Sequence, residues 1–287
     1  MNYPRVAIVI LNWNGVEDTL ECLDSLKKIT YPSYEVIIVD NGSEGDDVKT
    51  LRQSFGDYAH IVENDRNYGF AEGNNIGIRY ALNAFDPAYL LLLNNDMVVA
   101  PDFLGELVKV AEGEAKVGIV GPKVYYYDFN GRNDVLWYAG GKIQWWSRYG
   151  YCHIGRDKDD LPQYQATSNV DWVTGAAIML KRCVIEELSL LNPRYFFGSE
   201  DVEYCIKARK HGFKIVYVPG ARVWHKVGKS RNRHAPGLDN VLNHILNHYR
   251  LILGNFSVPV CAYHLLLSPV FLLSELKSYL IKYNPQG

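Results

Sequence analysis

Four short runs of apolar, largely β-branched residues recur along the first hundred positions: Val6 to Leu11, Glu35 to Asp40, His60 to Glu63 and Tyr89 to Asn94. Between them the apolar positions shift to helical spacing near Val16 to Lys28, Asp46 to Ser54 and Phe70 to Ala84. Strands alternating with helices predict βαβ units on a mostly parallel sheet, Rossmann-like, with helices on both faces. Each run ends in polar residues, and ligands of open α/β sheets gather beyond the carboxyl ends of strands. Asn12, Asp40, Asn41 and Asn94 to Asp96 are therefore expected on one rim.

Gly69, Gly73 and Gly77 fall on one face of the third helix and predict close packing on the sheet; its polar residues exclude a membrane span. The turn Asn67-Tyr68-Gly69-Phe70 leads into that helix, whose first N–H groups could hold a carboxylate or phosphate edge. A helix near Asp102 to Glu112 follows. Val117 to Gln144 mixes β-rich runs with aromatics, and Trp145 to Asn169 is polar and reads as an irregular insertion. Trp137, Tyr138, Trp145, Trp146 and Tyr149 could stack on sugar rings or simply pack under a loop. Regular structure resumes with strands at Ala177 to Lys181 and Lys214 to Val218, a strand-like Ala221 to Trp224 closed by His225, and helices near Arg182 to Leu188 and Asp201 to His211.

The tail has another character. Leu238, Val241, Leu242, Ile245, Tyr249 and Leu253 recur at helical spacing, and Phe256 to Leu273 is apolar but interrupted by Pro259, His264 and Pro269. Two prolines suit it to an interface or a partner rather than to a straight span. The division expected is residues 1–225 as a catalytic domain and 226–287 as a basic flap with apolar helices, making a peripheral membrane or homo-oligomer contact.

A chain of 287 residues can bury a substantial core, and 30 Lys and Arg against 32 Asp and Glu create no global field to gather nucleic acid. Recognition of charge must be local. Five scattered cysteines suggest no disulfide framework, and the apolar run near the N-terminus is too short for a signal peptide, so a setting in the cytoplasm or at the inner face of the cytoplasmic membrane is expected.

Asp96 follows a buried run, where the backbone is rigid, and could bind Mg2+ or Mn2+ with phosphate oxygens completing the shell; alone, such an Asp is more often a turn former. Asp40 could accept the imide N–H of uracil or thymine, although Asp40-Asn41-Gly42-Ser43 is also an ordinary turn sequence. Glu200 and Asp201 begin a helix. They could complement its dipole, or one could remove the proton from an attacking hydroxyl, with one pKa raised by the other carboxylate. His225 precedes Lys226, Lys229, Arg231 and Arg233, a basic segment that could stabilise a departing diphosphate or serve only as a solvated loop.

In order, Ile10-Leu11-Asn12-Trp13-Asn14, Val39-Asp40-Asn41-Gly42-Ser43, Asn67 to Asn75, Leu93-Asn94-Asn95-Asp96, Thr174 to Ala177 and Glu200-Asp201 resemble glycosyltransferase family 2, of the GT-A fold, in its rhamnosyltransferase-like branch. The resemblance covers about Val6 to His225. It implies an inverting, metal-dependent transfer from a dTDP- or UDP-sugar, rhamnose first, to a glycan or lipid-linked acceptor of polysaccharide synthesis. It implies that Asp40 meets the base, that Asp96 and His225 hold Mg2+ or Mn2+ at the diphosphate, and that Asp201, with Glu200 beside it, deprotonates the acceptor. Asn12, Asn14, Asn41, Asn67, Gly69, Phe70, Asn74, Asn94, Asn95, Lys226 and Arg231 would line the donor site, and Trp172, Thr174 and Gly175 the acceptor side. The family's usual Asp-x-Asp is Asn94-Asn95-Asp96 in this chain, leaving a single carboxylate.

Overall fold

A computed structural model describes residues 3–227 and 238–273. Its first half alternates strands and helices as the periodicity predicts: β1 (Val6–Asn12), α1 (Val16–Leu26), β2 (Tyr34–Asp40), α2 (Asp47–Phe55), β3 (His60–Glu63), α3 (Gly69–Phe85) and β4 (Tyr89–Asn94). These four strands are parallel, in the order β3-β2-β1-β4. A parallel sheet covered on both faces needs strands apolar on both sides, and Val6 to Ile10 and Leu90 to Leu92 are essentially unexposed. Helix α3 lies tightly on this sheet. A Cβ at Gly77 would come within 2.4 Å of Val9 and 2.9 Å of Val39, so the small-residue face does serve packing.

Beyond β5 (Met97–Val99) and α4 (Phe103–Gly113) the sheet becomes mixed. Strands β6 (Val117–Tyr126), β7 (Val135–Tyr138), β8 (Gly141–Ile143), β9 (Tyr151–His153), β10 (Lys158–Asp159) and β11 (Ser168–Asn169) precede β12 (Ala177–Lys181), which runs antiparallel between β4 and β6. After α5 (Arg182–Leu188) and α6 (Glu200–Lys210) comes β13 (Lys214–His225), parallel to β6 and antiparallel to β5. The sequence places separate strands at Lys214 to Val218 and Ala221 to Trp224. The structure joins them through Pro219 and Gly220 by a register shift between Val218 and Arg222, because a bulge accommodates residues that would otherwise end a strand. The segment expected to be irregular, Trp145 to Asn169, holds the short strands β9, β10 and β11.

Two helices close the described chain, α7 (Leu238–Asn255) and α8 (Val258–Leu266). Asn247 Nδ2 donates to Phe197 O at 3.0 Å, and Arg250 donates to Arg194 O at 2.6 Å, which docks α7 on the turn before α6. Among the described residues no helix is long and apolar enough to cross a membrane.

Candidate active site

The antiparallel insertion of β12 decides where the site lies. Asn94 at the end of β4 donates its N–H to Ala176 O at 2.9 Å, so the loop Thr174-Gly175 sits beside the carboxyl end of the parallel block. Gly175 N–H in turn donates to Asp201 Oδ2 at 2.7 Å, and the N-terminus of α6 is thereby fixed on the same rim as Asn94-Asn95-Asp96. Register places Asn12 opposite Asp40 and Leu11 opposite Asn94, completing the edge. On the other side, β13 brings His225 opposite Met97, and Lys226 N–H donates to Asp96 O at 3.0 Å.

At the centre His225 Nε2 stands 3.2 Å from Asp96 Oδ1. Both side chains are buried, and Asp96 Oδ1 and His225 Nδ1 have no hydrogen-bond partner. A buried carboxylate oxygen facing an imidazole nitrogen without a hydrogen bond is an incomplete polar arrangement, and oxygen and nitrogen donors at this spacing fit a divalent cation. The chemistry of the pair suits the cation that the sequence implies. Among the described residues no cluster of three or more His, Cys, Asp or Glu could hold a metal, so water and phosphate would have to supply the other ligands. Trp137 packs edge-on against the His225 ring, with centroids 4.5 Å apart, and holds its plane.

Asp40 is buried with both oxygens engaged: Oδ1 accepts Ser43 N–H at 2.9 Å, and Oδ2 accepts Asn12 Nδ2 at 2.7 Å. Asn12, expected on the donor, is wholly buried. Its amide also reaches Ser43 Oγ and Asp47, while its carbonyl accepts Thr19 Oγ1 at 2.7 Å, so it orients Asp40 with its own polar atoms engaged by protein groups. Asn41 is likewise a clasp. It donates to Asn67 Oδ1 and Gly69 O and accepts from Asn64 and Tyr68 N–H, tying the loop after β2 to the entry of α3. Asn74 donates to Phe70 O, and Asn95 donates to Thr19 and Gly15. Asn14 adopts a left-handed conformation and accepts Glu44 N–H at 2.7 Å, while Asn94 is partly exposed on the rim.

The start of α3 departs from expectation. Gly69 N–H donates to Asn67 Oδ1 and Phe70 N–H to Phe196 O, so two of the amides expected to hold an anion are already satisfied. This contact brings the Phe196-Phe197 turn onto Gly69, where φ is +80° and a Cβ would meet Phe196 O at 2.5 Å. The Phe70 ring lies against Gly175, 3.4 Å from where a Cβ on that glycine would stand.

Two further expectations are corrected. Lys226, expected on the diphosphate, is buried and pairs with Asp18 at 2.9 Å and with Glu21, since a buried ammonium needs carboxylate partners. Trp172 is 1% exposed inside a cluster with Tyr138, Tyr151 and His153, and a Cβ on Gly141 would strike its ring, so it backs the Thr174-Gly175 loop and offers the acceptor no face. Arg231, with Lys229 and Arg233, lies outside the described residues. Sequence reading missed Thr19, Ser43, Asp47 and Asn64 as supports of Asp40 and Asn41; only their three-dimensional convergence marks them.

Burial raises the pKa of Asp201. Glu200 is pushed up to about 8, first by burial and then by the charge of Asp201, and its Oε2 has no hydrogen-bond partner. Burial of the two adjacent carboxyls thus favours a proton retained on Glu200, while Asp201 is anchored by the Gly175 N–H. Two cavities, one lined by Tyr125, Asp134 and Trp224, the other by Glu114, Asn169 and Lys214, lie off this rim.

A sequence family described as "Glycosyltransferase like family 2" matches residues 4–237. The chain is 25% identical over 213 residues to the "Low-salt glycan biosynthesis hexosyltransferase Agl10" of Haloferax volcanii, a match covering 73% of this chain and 63% of that protein. It is 25% identical over 227 residues to "Rhamnosyltransferase WbbL" of Escherichia coli K12, covering 77% and 83%. The chain spans between 20% and 63% of the length of the first curated relatives it matches. In fold it resembles the "Mannosyltransferase PcManGT from Pyrobaculum calidifontis in complex with GDP-Man and Mn2+", with a TM-score of 0.61, 20% identity, and coverage of 100% of this chain and 77% of that one.

Proposed function

The chain belongs to glycosyltransferase family 2, and from that premise we propose that it moves a sugar from a nucleotide diphosphate donor to a hydroxyl of a glycan or lipid-linked acceptor, with inversion at the anomeric carbon. Rhamnose from a dTDP donor is the best reading of the sugar, supported by relatives such as the rhamnosyltransferase named above. A UDP-hexose is the alternative, favoured by the relative named a hexosyltransferase.

The observation that carries the proposal is the convergence of Asp201, through Gly175, and the Asp96–His225 pair on one rim. Asp201 is the base. Its Oδ2 is oriented by a backbone N–H and keeps a second lone pair for the acceptor hydroxyl, whose proton it takes as the new bond forms. Protonated Glu200 keeps the pair at one negative charge, which limits repulsion of the anionic donor. Asp40, held by Asn12 and Ser43, accepts from the base of the nucleotide, and Phe70 with Thr174-Gly175 borders the space where donor sugar and acceptor meet.

Asp96 and His225 would hold Mg2+ or Mn2+. A divalent cation there stabilises the charge that develops on the leaving diphosphate; the fold relative bound to GDP-Man and Mn2+ supports this reading.

The test is a donor panel with Mn2+. Purified chain is incubated with dTDP-rhamnose, UDP-glucose, UDP-galactose or UDP-N-acetylglucosamine, and nucleotide release is followed with and without glycan acceptors. One donor should be turned over and should raise the melting temperature selectively, because a ligand of the folded state stabilises it. Binding of glycan with no turnover of any donor would leave a sugar-binding protein in place of an enzyme.

A further inference from the structure

The start of α6 breaks the usual pattern of a helix N-terminus. Ser199 stands at the N-cap, where a serine hydroxyl ordinarily accepts an N–H of the first turn. Its side chain makes no such bond, and Val202 N–H is taken by Asp201 Oδ1 at 2.8 Å. Ser199 is also held at φ +73°, a left-handed conformation unfavourable for a residue with a side chain, directly after Gly198 at φ +96°. Two such residues in succession turn the chain sharply into Glu200 and Asp201. A serine persists in this conformation only where its surroundings impose it.

Tyr151 supplies the constraint. Its hydroxyl lies 3.1 Å from Ser199 Oγ, and Ser199 is buried. Tyr151 belongs to β9, where it pairs with Ile143 of β8, and its ring meets Trp172 edge-on with centroids 5.2 Å apart. Trp172 leads into the Thr174-Gly175 loop, whose Gly175 N–H holds Asp201 Oδ2. One indole therefore backs both the hydroxyl that holds Ser199 and the loop that holds Asp201. Helix α7 touches both arms of this clasp. Asn247, 1% exposed, donates to Phe197 O at 3.0 Å, just ahead of Ser199. Ile252 packs on the β9 side so closely that a Cβ on Gly150 would come within 2.9 Å of its Cδ1.

We propose that Tyr151, backed by α7, is a positioning residue for the transfer: its hydroxyl holds Ser199 in the conformation that aims Asp201, while the Gly175 N–H holds the carboxylate itself. The inference rests on the reading of Asp201 as the base. Tyr151 does not itself take the proton, because burial first and then the negative charge of Asp201 raise the pKa of its hydroxyl and keep it protonated. Its contribution is geometric. A base must lie within hydrogen-bond reach of the group it deprotonates, and a misplacement of about 1 Å can cost on the order of 10²-fold in rate. On the same reading the donor and its cation are held at Asp40 and at Asp96 with His225, so loss of the clasp should spare their affinity.

The test compares the full chain with Tyr151→Phe, which keeps the ring on Trp172, and Ser199→Ala, which keeps the Cβ without the hydroxyl. Both should retain the wild-type Kd for dTDP-rhamnose or UDP-glucose with Mn2+, whichever the donor panel selects, and lose kcat by roughly ten- to a hundredfold. The double variant should be no slower than either, since both cut one bond. In an Asp201→Asn background Tyr151→Phe should slow turnover no further, because its effect runs through that carboxylate. Amide exchange reads the clasp without any substrate. Gly175 N–H, protected by Asp201 Oδ2, should exchange about tenfold faster in Tyr151→Phe, while the amides of β1 and β4 keep their protection and show that the fold is intact. Asn247→Ala, which unties α7 from Phe197, should lower kcat in the same selective way.

Wild-type kcat in Tyr151→Phe, a further loss in the Asp201→Asn background, or unchanged Gly175 exchange overturns the proposal. So does a fall in donor affinity that matches the fall in kcat, since the substitution then disturbs the site at large. Wild-type kcat in Asn247→Ala alone overturns the part given to α7. A wild type that turns over no donor, with Gly175 exchange still quickened by Tyr151→Phe, counts against the enzyme reading and supports the clasp.

Discussion

Glu200→Gln isolates the electrostatics of the acid pair. Glu200 opens α6 with a buried carboxyl whose pKa stands at about 8 against an ordinary value of 4.5. The folded protein therefore keeps a proton that the unfolded chain releases. Below about pH 4.5 both states are protonated and the group costs nothing; as pH rises through about 8 the folded state falls progressively behind, and above that both states are ionised. At about 1.4 kcal/mol per pKa unit, the loss across this window is on the order of 3–5 kcal/mol, shared with Asp201 because the two carboxyls titrate together. Glutamine retains the shape and the polar atoms without the titration. Urea denaturation of wild type and variant at about pH 5, 6.5 and 8 reads the difference: the wild type should lose stability relative to Glu200→Gln by several kcal/mol as pH rises. Parallel pH dependences for the two proteins would refute the assignment of a buried proton to this residue.

Other expectations follow from the same geometry. Asn12→Ala removes a hydrogen bond to the buried Asp40 carboxylate and should cost about 2–4 kcal/mol in denaturation, with weaker nucleotide binding by calorimetry; unchanged binding would separate Asp40 from the donor. Gly69→Ala forces a side chain into positive φ and against Phe196 O, so it should lower stability by at least about 1–2 kcal/mol and slow turnover by displacing the Phe196-Phe197 turn. The acid limb of kcat/KM should fall above the ordinary Asp range near pH 4, because burial raises the pKa of Asp201, and turnover should increase through that limb as the base ionises.

The parallel half of the fold was legible because its strands are buried on both faces and its helices carry a regular apolar stripe. Boundaries from β1 to β4 agree within about one or two residues, the ordinary uncertainty of element ends. The join between the two halves of β13 was hidden by Pro219 and Gly220, which read locally as a break between Val218 and Ala221 and are carried by a bulge only because β6 lies alongside. The rim was legible in outline for a similar reason: polar residues at strand ends must gather once the strands are parallel. What each side chain does there was not. Asn12, Asn41 and Lys226 looked like ligands from their positions, yet each is claimed by residues distant in sequence, Asp40 and Asp47, Asn64 and Asn67, Asp18 and Glu21. Asp201 was legible as a helix-starting acid, but its hydrogen bond to Gly175, which fixes it on the rim with Asp96, depends on where β12 inserts.

The division of labour between two aspartates is most directly tested by calorimetric titration of the preferred nucleotide sugar, with and without Mn2+, alongside single-turnover rates, for wild type, Asp96→Ala and Asp201→Asn. Asp201→Asn should bind donor as wild type does while its rate falls by about 10²–10⁴-fold; Asp96→Ala should lose the Mn2+-dependent part of donor binding. Mn2+-dependent affinity that survives Asp96→Ala, or donor affinity that disappears with Asp201→Asn, would contradict a cation held at Asp96 and a base at Asp201.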